Sequence, residues 1–207
     1  MQGVETYVLD SNPVLEAFGN AKTTRNINSS RFGKFIQVDV STQSGDICNA
    51  SILTQLLEKS RAVSVADHER SFHIFYQGLA SAEVRSKYGV ASADPSSFQF
   101  LKSKTGTYTI DGVNDQTGCE LTLACMRNIG FTEEEIDQIW RIIFAVLQIG
   151  NVAYTVNDND EAELAPASAA FIQKAAELLQ FDDPATLTKI LSMKVVKYPG
   201  QVIESKY

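Results

Sequence analysis

The sequence predicts an α+β protein that is predominantly helical, and three patterns carry that reading. Ile136, Ile139, Trp140, Ile143, Phe144 and Leu147 recur at helical spacing behind Thr132-x-x-Glu135, the signature of a capping box. Phe72, Phe75, Tyr76 and Leu79 repeat at i, i+3, i+4 and i+7, which predicts an amphipathic helix over 67–82. Between Phe35 and Val40 the period drops to two, with Ile36, Val38 and Val40 opposite Gln37 and Asp39. That alternation predicts a half-buried strand.

The remaining elements follow in chain order. Asn12-Pro13 reads as a helix start, with an Asx cap and Pro at the first helical position. Val14, Leu15 and Phe18 give that helix an apolar face and Gly19 ends it. Residues 50–63 stay open between helix and strand: Ile52, Leu53, Leu56 and Leu57 fit a helix by spacing. Thr117-x-x-Glu120 reads as a further capping box, and the helix begun at Thr132 closes at Gly150. Asn157 to Glu163 is polar and acidic and reads as an exposed loop. A helix follows over roughly 167–180, and Asp183-Pro184 caps another that carries Leu187, Ile190 and Leu191. Val195-Val196, a Pro199-Gly200 turn and Val202-Ile203 predict a hairpin.

Composition narrows the function classes. Across 207 residues the apolar fraction of 44% suits a packed core, and 21% charged residues argue against disorder. A net charge of −7 gives no support to a nucleic-acid or membrane-surface role, which needs a basic field. Cys48, Cys119 and Cys125 lack C-x-x-C spacing, so reduced thiols fit better than a disulfide scaffold or zinc site. The N-terminus has no signal-peptide pattern and no apolar run reaches membrane-spanning length, so the expectation is a cytoplasmic protein. His73, inside an aromatic helix, reads as a packing residue and His68 as exposed. Trp140 reads as core.

One run resists a purely structural explanation. Asn26-Ile27-Asn28-Ser29-Ser30-Arg31-Phe32-Gly33-Lys34 places two carboxamides, two hydroxyls and a guanidinium within six residues and then enters a strand. Hydroxyls can ligate Mg²⁺ while amides and Arg satisfy phosphate oxygens. Asn and Ser also populate ordinary turns, so the run needs its context. Leu15-Glu16-Ala17-Phe18-Gly19-Asn20-Ala21-Lys22-Thr23 leads into it, and together they resemble switch I of a myosin motor. Leu56-Leu57-Glu58-Lys59-Ser60-Arg61, Glu69-Arg70-Ser71-Phe72-His73-Ile74-Phe75-Tyr76-Gln77, Ile110-Asp111-Gly112-Val113-Asn114-Asp115 and Leu147-Gln148-Ile149-Gly150-Asn151 resemble further landmarks of that family in the same order. Kinesins share Asn-x-x-Ser-Ser-Arg but do not continue Phe-Gly-Lys.

The resemblance implies a partial P-loop NTPase of the myosin type, with a short strand pair after switch I and a helical subdomain. It makes part of 50–63 the second strand of that pair. It divides the chain into switch I helix, loop and strands (1–63), helical upper subdomain (64–193) and the start of an actin-binding surface hairpin (194–207). ATP and Mg²⁺ are the implied cofactors. F-actin, reached through the full motor, is the implied partner, and light chains or cargo would bind outside this chain. Residue by residue, Asn26 resembles the phosphate-contacting Asn and Asn28 its support. Ser29 matches the residue beside the γ-phosphate and attacking water, Ser30 the Mg²⁺ ligand, and Arg31 the partner of a switch II carboxylate. Ile27 departs from the Asn usual at its position. No G-x-x-x-x-G-K-[ST] or Asp-x-x-Gly-Phe-Glu occurs in the 207 residues, so Arg31 is expected to be a solvated, unpaired cation and the isolated chain inactive as an ATPase. Gln201, Glu204 and Ser205 fall near a regulatory position in the family's actin-facing loop, or in a plain solvated turn. The alternative function is a non-catalytic α+β interaction module.

Overall fold

The computed structural model describes residues 3–157, 160–198 and 201–206. It divides into two units, Met1–Trp140 and Arg141–Tyr207.

In the first unit, helix α1 (Val4–Gly19) leads into a two-residue strand β1 (Asn20–Ala21), which pairs antiparallel with β2 (Ser29–Ser30). This pair clips the base of the 22–28 loop. The expected helix start at Asn12-Pro13 is corrected, because α1 begins at Val4 and carries Pro13 in its interior. Pro13 has no N–H to donate to the carbonyl of Leu9, a residue that is 66% exposed, so one helical hydrogen bond is lost on an open face of α1. Helix α1 packs on α2 (His73–Ala80) and α4 (Asp115–Asn128), with Ala17 at the centre of its buried face and Val14, Leu15 and Phe18 only half-buried. Gly19 does end α1, and it also admits the Phe32 ring: a Cβ built there would lie 2.3 Å from Phe32 Cδ1.

The strand read from Phe35 to Val40 exists as β3 (Gly33–Val40), hairpinned with β4 (Ile47–Gln55) from Gly33↔Gln55 to Asp39↔Asn49. Residues 50–55 are therefore strand, and a single 3₁₀ turn at Lys59–Ala62 follows. The expectation of half-burial fails. Phe35, Val38, Val40 and Leu53 are exposed, while Ile36 in β3 and Ile47, Ala50 and Ile52 in β4 are partly covered; β3 and β4 pair only with each other among the described strands.

The helix expected over 67–82 is shorter. Backbone groups at its start are committed elsewhere: Arg70 N–H donates to Lys22 O at 3.0 Å, Ser71 N–H donates to Tyr76 Oη at 3.1 Å, and Phe72 bridges to Ala21. Within α2, Ile74, Phe75, Tyr76 and Leu79 are buried. A short helix α3 (Ala82–Lys87) follows, capped by Ser81. Thr117 is not a cap; Asn114 Oδ1 accepts from the amides of Gln116 and Thr117 and opens α4 three residues earlier. Arg70, fully buried, donates to both Asp115 oxygens at 2.7 and 3.1 Å and stacks 3.7 Å from the Tyr76 ring centroid. Cys119 and Cys125 are buried thiols. Burial lifts Cys119 to about 11.

Helix α5 (Glu133–Gly150) starts with the expected capping box: Glu135 Oε2 accepts from Thr132 N–H at 2.8 Å, and Thr132 Oγ1 accepts from Glu135 N–H at 3.2 Å. Ile136, Trp140, Ile143, Phe144 and Leu147 are buried along it. In the second unit, β5 (Tyr154–Val156) pairs with β6 (Ala162–Leu164), so the acidic segment is a hairpin end; its Asp158 and Asn159 lie outside the described residues. Helices α6 (Ala169–Leu178) and α7 (Pro184–Ser192) pack through Ala175, Ala176 and Leu187. Asp183 Oδ1 caps α7 from Ala185 N–H as expected, whereas Ile190 is exposed. The closing hairpin is β7 (Met193–Tyr198) with β8 (Gln201–Lys206). Pro199, Gly200 and the side chains of Gln201, Glu204 and Ser205 lie outside the described residues. No described helix is long and apolar enough to cross a membrane.

Candidate functional site

The 22–31 loop is shaped by its own polar side chains before anything else touches it. Thr23 N–H donates to Asn26 O at 2.8 Å and Asn26 N–H donates to Thr23 Oγ1 at 3.1 Å, which closes a tight turn. Asn26 Oδ1 then accepts from Asn28 N–H at 2.9 Å, an Asx turn. Asn28 fastens the loop to two helices. Its Nδ2 donates to Glu16 Oε2 on α1 at 2.9 Å, and its Oδ1 accepts from Asn20 Nδ2 and from His73 Nε2 on α2, both at 3.0 Å.

His73 is thus a loop anchor as well as a packing residue. Asn28 Oδ1 can only accept, so Nε2 of His73 carries the proton. Burial, reinforced by the Arg70 charge, lowers His73 to about 4, leaving it neutral at pH 7. Ile27 is exposed and borders a cleft of about 330 Å³ together with Glu16, Asn28, His73 and Asp115.

The hydroxyl pair divides its work. Ser30 Oγ, at the exposed edge of β2, donates to Phe32 O at 2.8 Å, which occupies its proton and leaves oxygen lone pairs. Ser29 Oγ accepts from Arg31 Nη1 at 3.3 Å. Arg31 is not the unpaired cation the sequence suggested. Its Nε donates to Glu58 Oε2 at 2.7 Å, and Glu58 N–H donates to Arg31 O at 2.9 Å. The turn that makes this possible passes through Leu56, which has a φ of 57° and is 91% exposed; left-handed backbone at a Leu is costly and redirects the chain after β4.

Glu58 also accepts from Arg61 Nε at 2.9 Å, and Arg61 Nη1 donates to Glu69 Oε2 at 2.8 Å. Glu69 Oε1 in turn accepts from Thr24 N–H at 3.3 Å. Burial pushes both carboxyls up, but the Arg61 hydrogen bonds and the neighbouring positive charges outweigh it, and both Glu58 and Glu69 sit below the ordinary carboxylate value. Sequence reading missed Glu16, Glu58, Glu69 and His73 as partners of the loop, and Arg61 behind Glu58 and Glu69. Glu58 and Arg61 were visible inside Leu-Leu-Glu-Lys-Ser-Arg, three apart, but nothing local showed that they return to residue 31.

The donor set suits a Mg²⁺–phosphate ligand as one wall of a site. Ser30 offers a neutral hydroxyl oxygen, acceptable to a hard cation that keeps several waters and phosphate oxygens as its other ligands. No group of three or more His, Cys, Asp or Glu side chains able to hold a metal occurs among the described residues, so these side chains form no all-protein cage.

The 22–31 loop is thus a polar segment of an α+β protein, clipped at its base by β1 and β2 and fastened by Asn28 to α1 and α2. The family model for the myosin head (motor domain) matches residues 1–206, and the chain belongs to that family. It is similar to Myosin-15 of Arabidopsis thaliana, 37% identical over 99% of this chain and 13% of the relative. It is also similar to Myosin-1 of Neurospora crassa, 39% identical over 99% of this chain and 16% of that protein. Myosin ID heavy chain of Dictyostelium discoideum is 42% identical over 86% of this chain and 16% of that protein. The chain thus spans about a sixth or less of the length of these relatives.

Proposed function

We propose that residues 26–31 are switch I of an actin-based, Mg-ATP-hydrolysing P-loop motor, contributing one wall of its nucleotide site. Asn26 contacts phosphate oxygens. Asn28, through Glu16 and His73, holds the loop in register. Ser29 orients the attacking water, and Ser30 Oγ supplies one oxygen to Mg²⁺. Held there by Ser30, a Mg²⁺ would supply charge neutralisation to the phosphate groups. Arg31 closes the site by pairing with a carboxylate from another motor segment, which excludes water and strengthens charge stabilisation. In this reading 1–63 form the switch I region, 64–193 the upper subdomain and the β7–β8 hairpin the start of an actin-facing loop. There Lys194, Lys197 and Lys206 favour an acidic filament surface.

The observation that carries the proposal is Ser30: exposed, its proton held by Phe32 O at 2.8 Å and its lone pairs left for a cation. The test is Mg²⁺-ATP turnover by the motor that contains this segment, with Ser30→Ala expected to weaken it and unchanged kinetics refuting the assignment.

A further inference from the structure

We infer that Arg61 is the positioning residue that fastens both ends of the 22–31 loop through a single guanidinium. Arg61 is 7% exposed and touches no residue of the loop itself. Its Nε and Nη2 donate to the two oxygens of Glu58 at 2.9 and 3.3 Å, and its Nη1 donates to Glu69 Oε2 at 2.8 Å and to Arg70 O at 3.2 Å. Its own carbonyl accepts from Ser71 Oγ at 2.8 Å, which locks the residue at the backbone as well.

The two carboxylates then reach opposite ends of the loop. Glu69 takes the Thr24 amide, and next to it Arg70 N–H donates to Lys22 O at 3.0 Å. Glu58 takes Arg31 Nε at 2.7 Å, and its own amide donates to Arg31 O at 2.9 Å. An Arg serves here because its planar fork offers five donors, whereas an ammonium is a point charge that cannot span two carboxylates and a carbonyl together.

A second consequence concerns Arg31. Arg61 Nε and Arg31 Nε share the same oxygen, Glu58 Oε2. Arg61 thereby supplies part of the charge that Glu58 needs and makes Arg31 releasable to another partner without leaving Glu58 bare. The value of that release to catalysis rests on the nucleotide reading above; the fastening of the loop does not.

The test is hydrogen exchange on the full chain without nucleotide, reading the Arg70 and Glu58 amides against amides of α5. In Arg61→Lys both loop-end amides are expected to exchange at least 10-fold faster while α5 keeps its native rates. Native rates at both amides, or a change at one end only, would overturn the inference. Should Arg61→Lys also open α5, the triple variant Arg61→Met, Glu58→Gln, Glu69→Gln, which strands no buried charge, decides: a 10-fold rise at both ends supports the hub and native rates refute it. Ser30→Ala is expected to leave these rates unchanged, so failure here and failure of the nucleotide reading are told apart.

Discussion

Arg31 Nε lies 2.7 Å from Glu58 Oε2, so the cation at the end of the candidate switch already has a carboxylate partner inside the same unit. The pair is partly open to water, with side-chain exposures of 31% and 34%, and its contribution to stability is small, below about 1 kcal/mol. Glu58 and Glu69 are held below their ordinary value of 4.5, so the stability they add is fully present above that value and is lost as pH falls through their lower folded values. Loop protection measured by hydrogen exchange should therefore persist at pH 5 and fade only below the ordinary carboxylate range. Glu58→Gln should remove this acid dependence at the Arg31 end.

His73 acts in the same direction, starting from a higher pH. Its folded value of about 4 lies below the ordinary 6.5, so the unfolded chain takes up a proton between these limits while the folded chain does not. Stability contributed by neutral His73 is complete above pH 6.5 and falls as pH drops toward 4, by at most about 3 kcal/mol. His73→Gln should flatten that slope in urea titrations of the first unit at pH 7 and pH 4.5, while retaining a donor for Asn28.

The Arg70–Asp115 pair should dominate stability of the first unit. Arg70 is fully buried and bidentate on Asp115. Asp115→Asn leaves an uncompensated buried guanidinium, and a loss of about 3–5 kcal/mol is expected, read as a lower urea midpoint. Arg127→Lys, at the exposed Arg127–Glu133 pair, should change the midpoint little.

Gly19→Ala connects packing to the site. The new methyl would meet the Phe32 ring at 2.3 Å, and Phe32 O is the acceptor that holds the Ser30 proton. A stability loss of about 1–3 kcal/mol is expected, with Phe32→Ala in the same chain restoring part of it. Thermal unfolding of the single and double variants checks this.

Long, strongly periodic elements were legible in the sequence because their period and caps are local. The helix behind Thr132 and the Asp183 cap sit where the residues place them. Failures came where distant groups decide. The helix expected over 67–82 begins only at His73, because Arg70 and Ser71 spend their amides on Lys22 and Tyr76. Thr117 lost its capping role to Asn114, three residues upstream. Pro13 misled because it sits inside α1, one turn after the exposed Leu9, rather than at its start. At the candidate site, the residue types from Asn26 to Arg31 were readable, but their partners Glu16, Glu58, Glu69 and His73 return from 12 to 45 positions away and leave no local periodic trace.

The most direct test of the central claim is single-turnover Mg²⁺-ATP hydrolysis by the motor that carries this segment, comparing Ser30→Ala and Arg31→Ala with Arg127→Ala as a surface control. Both loop variants are expected to slow hydrolysis by about 100-fold or more, with the control unchanged. Native hydrolysis rates in Ser30→Ala and Arg31→Ala would contradict the account.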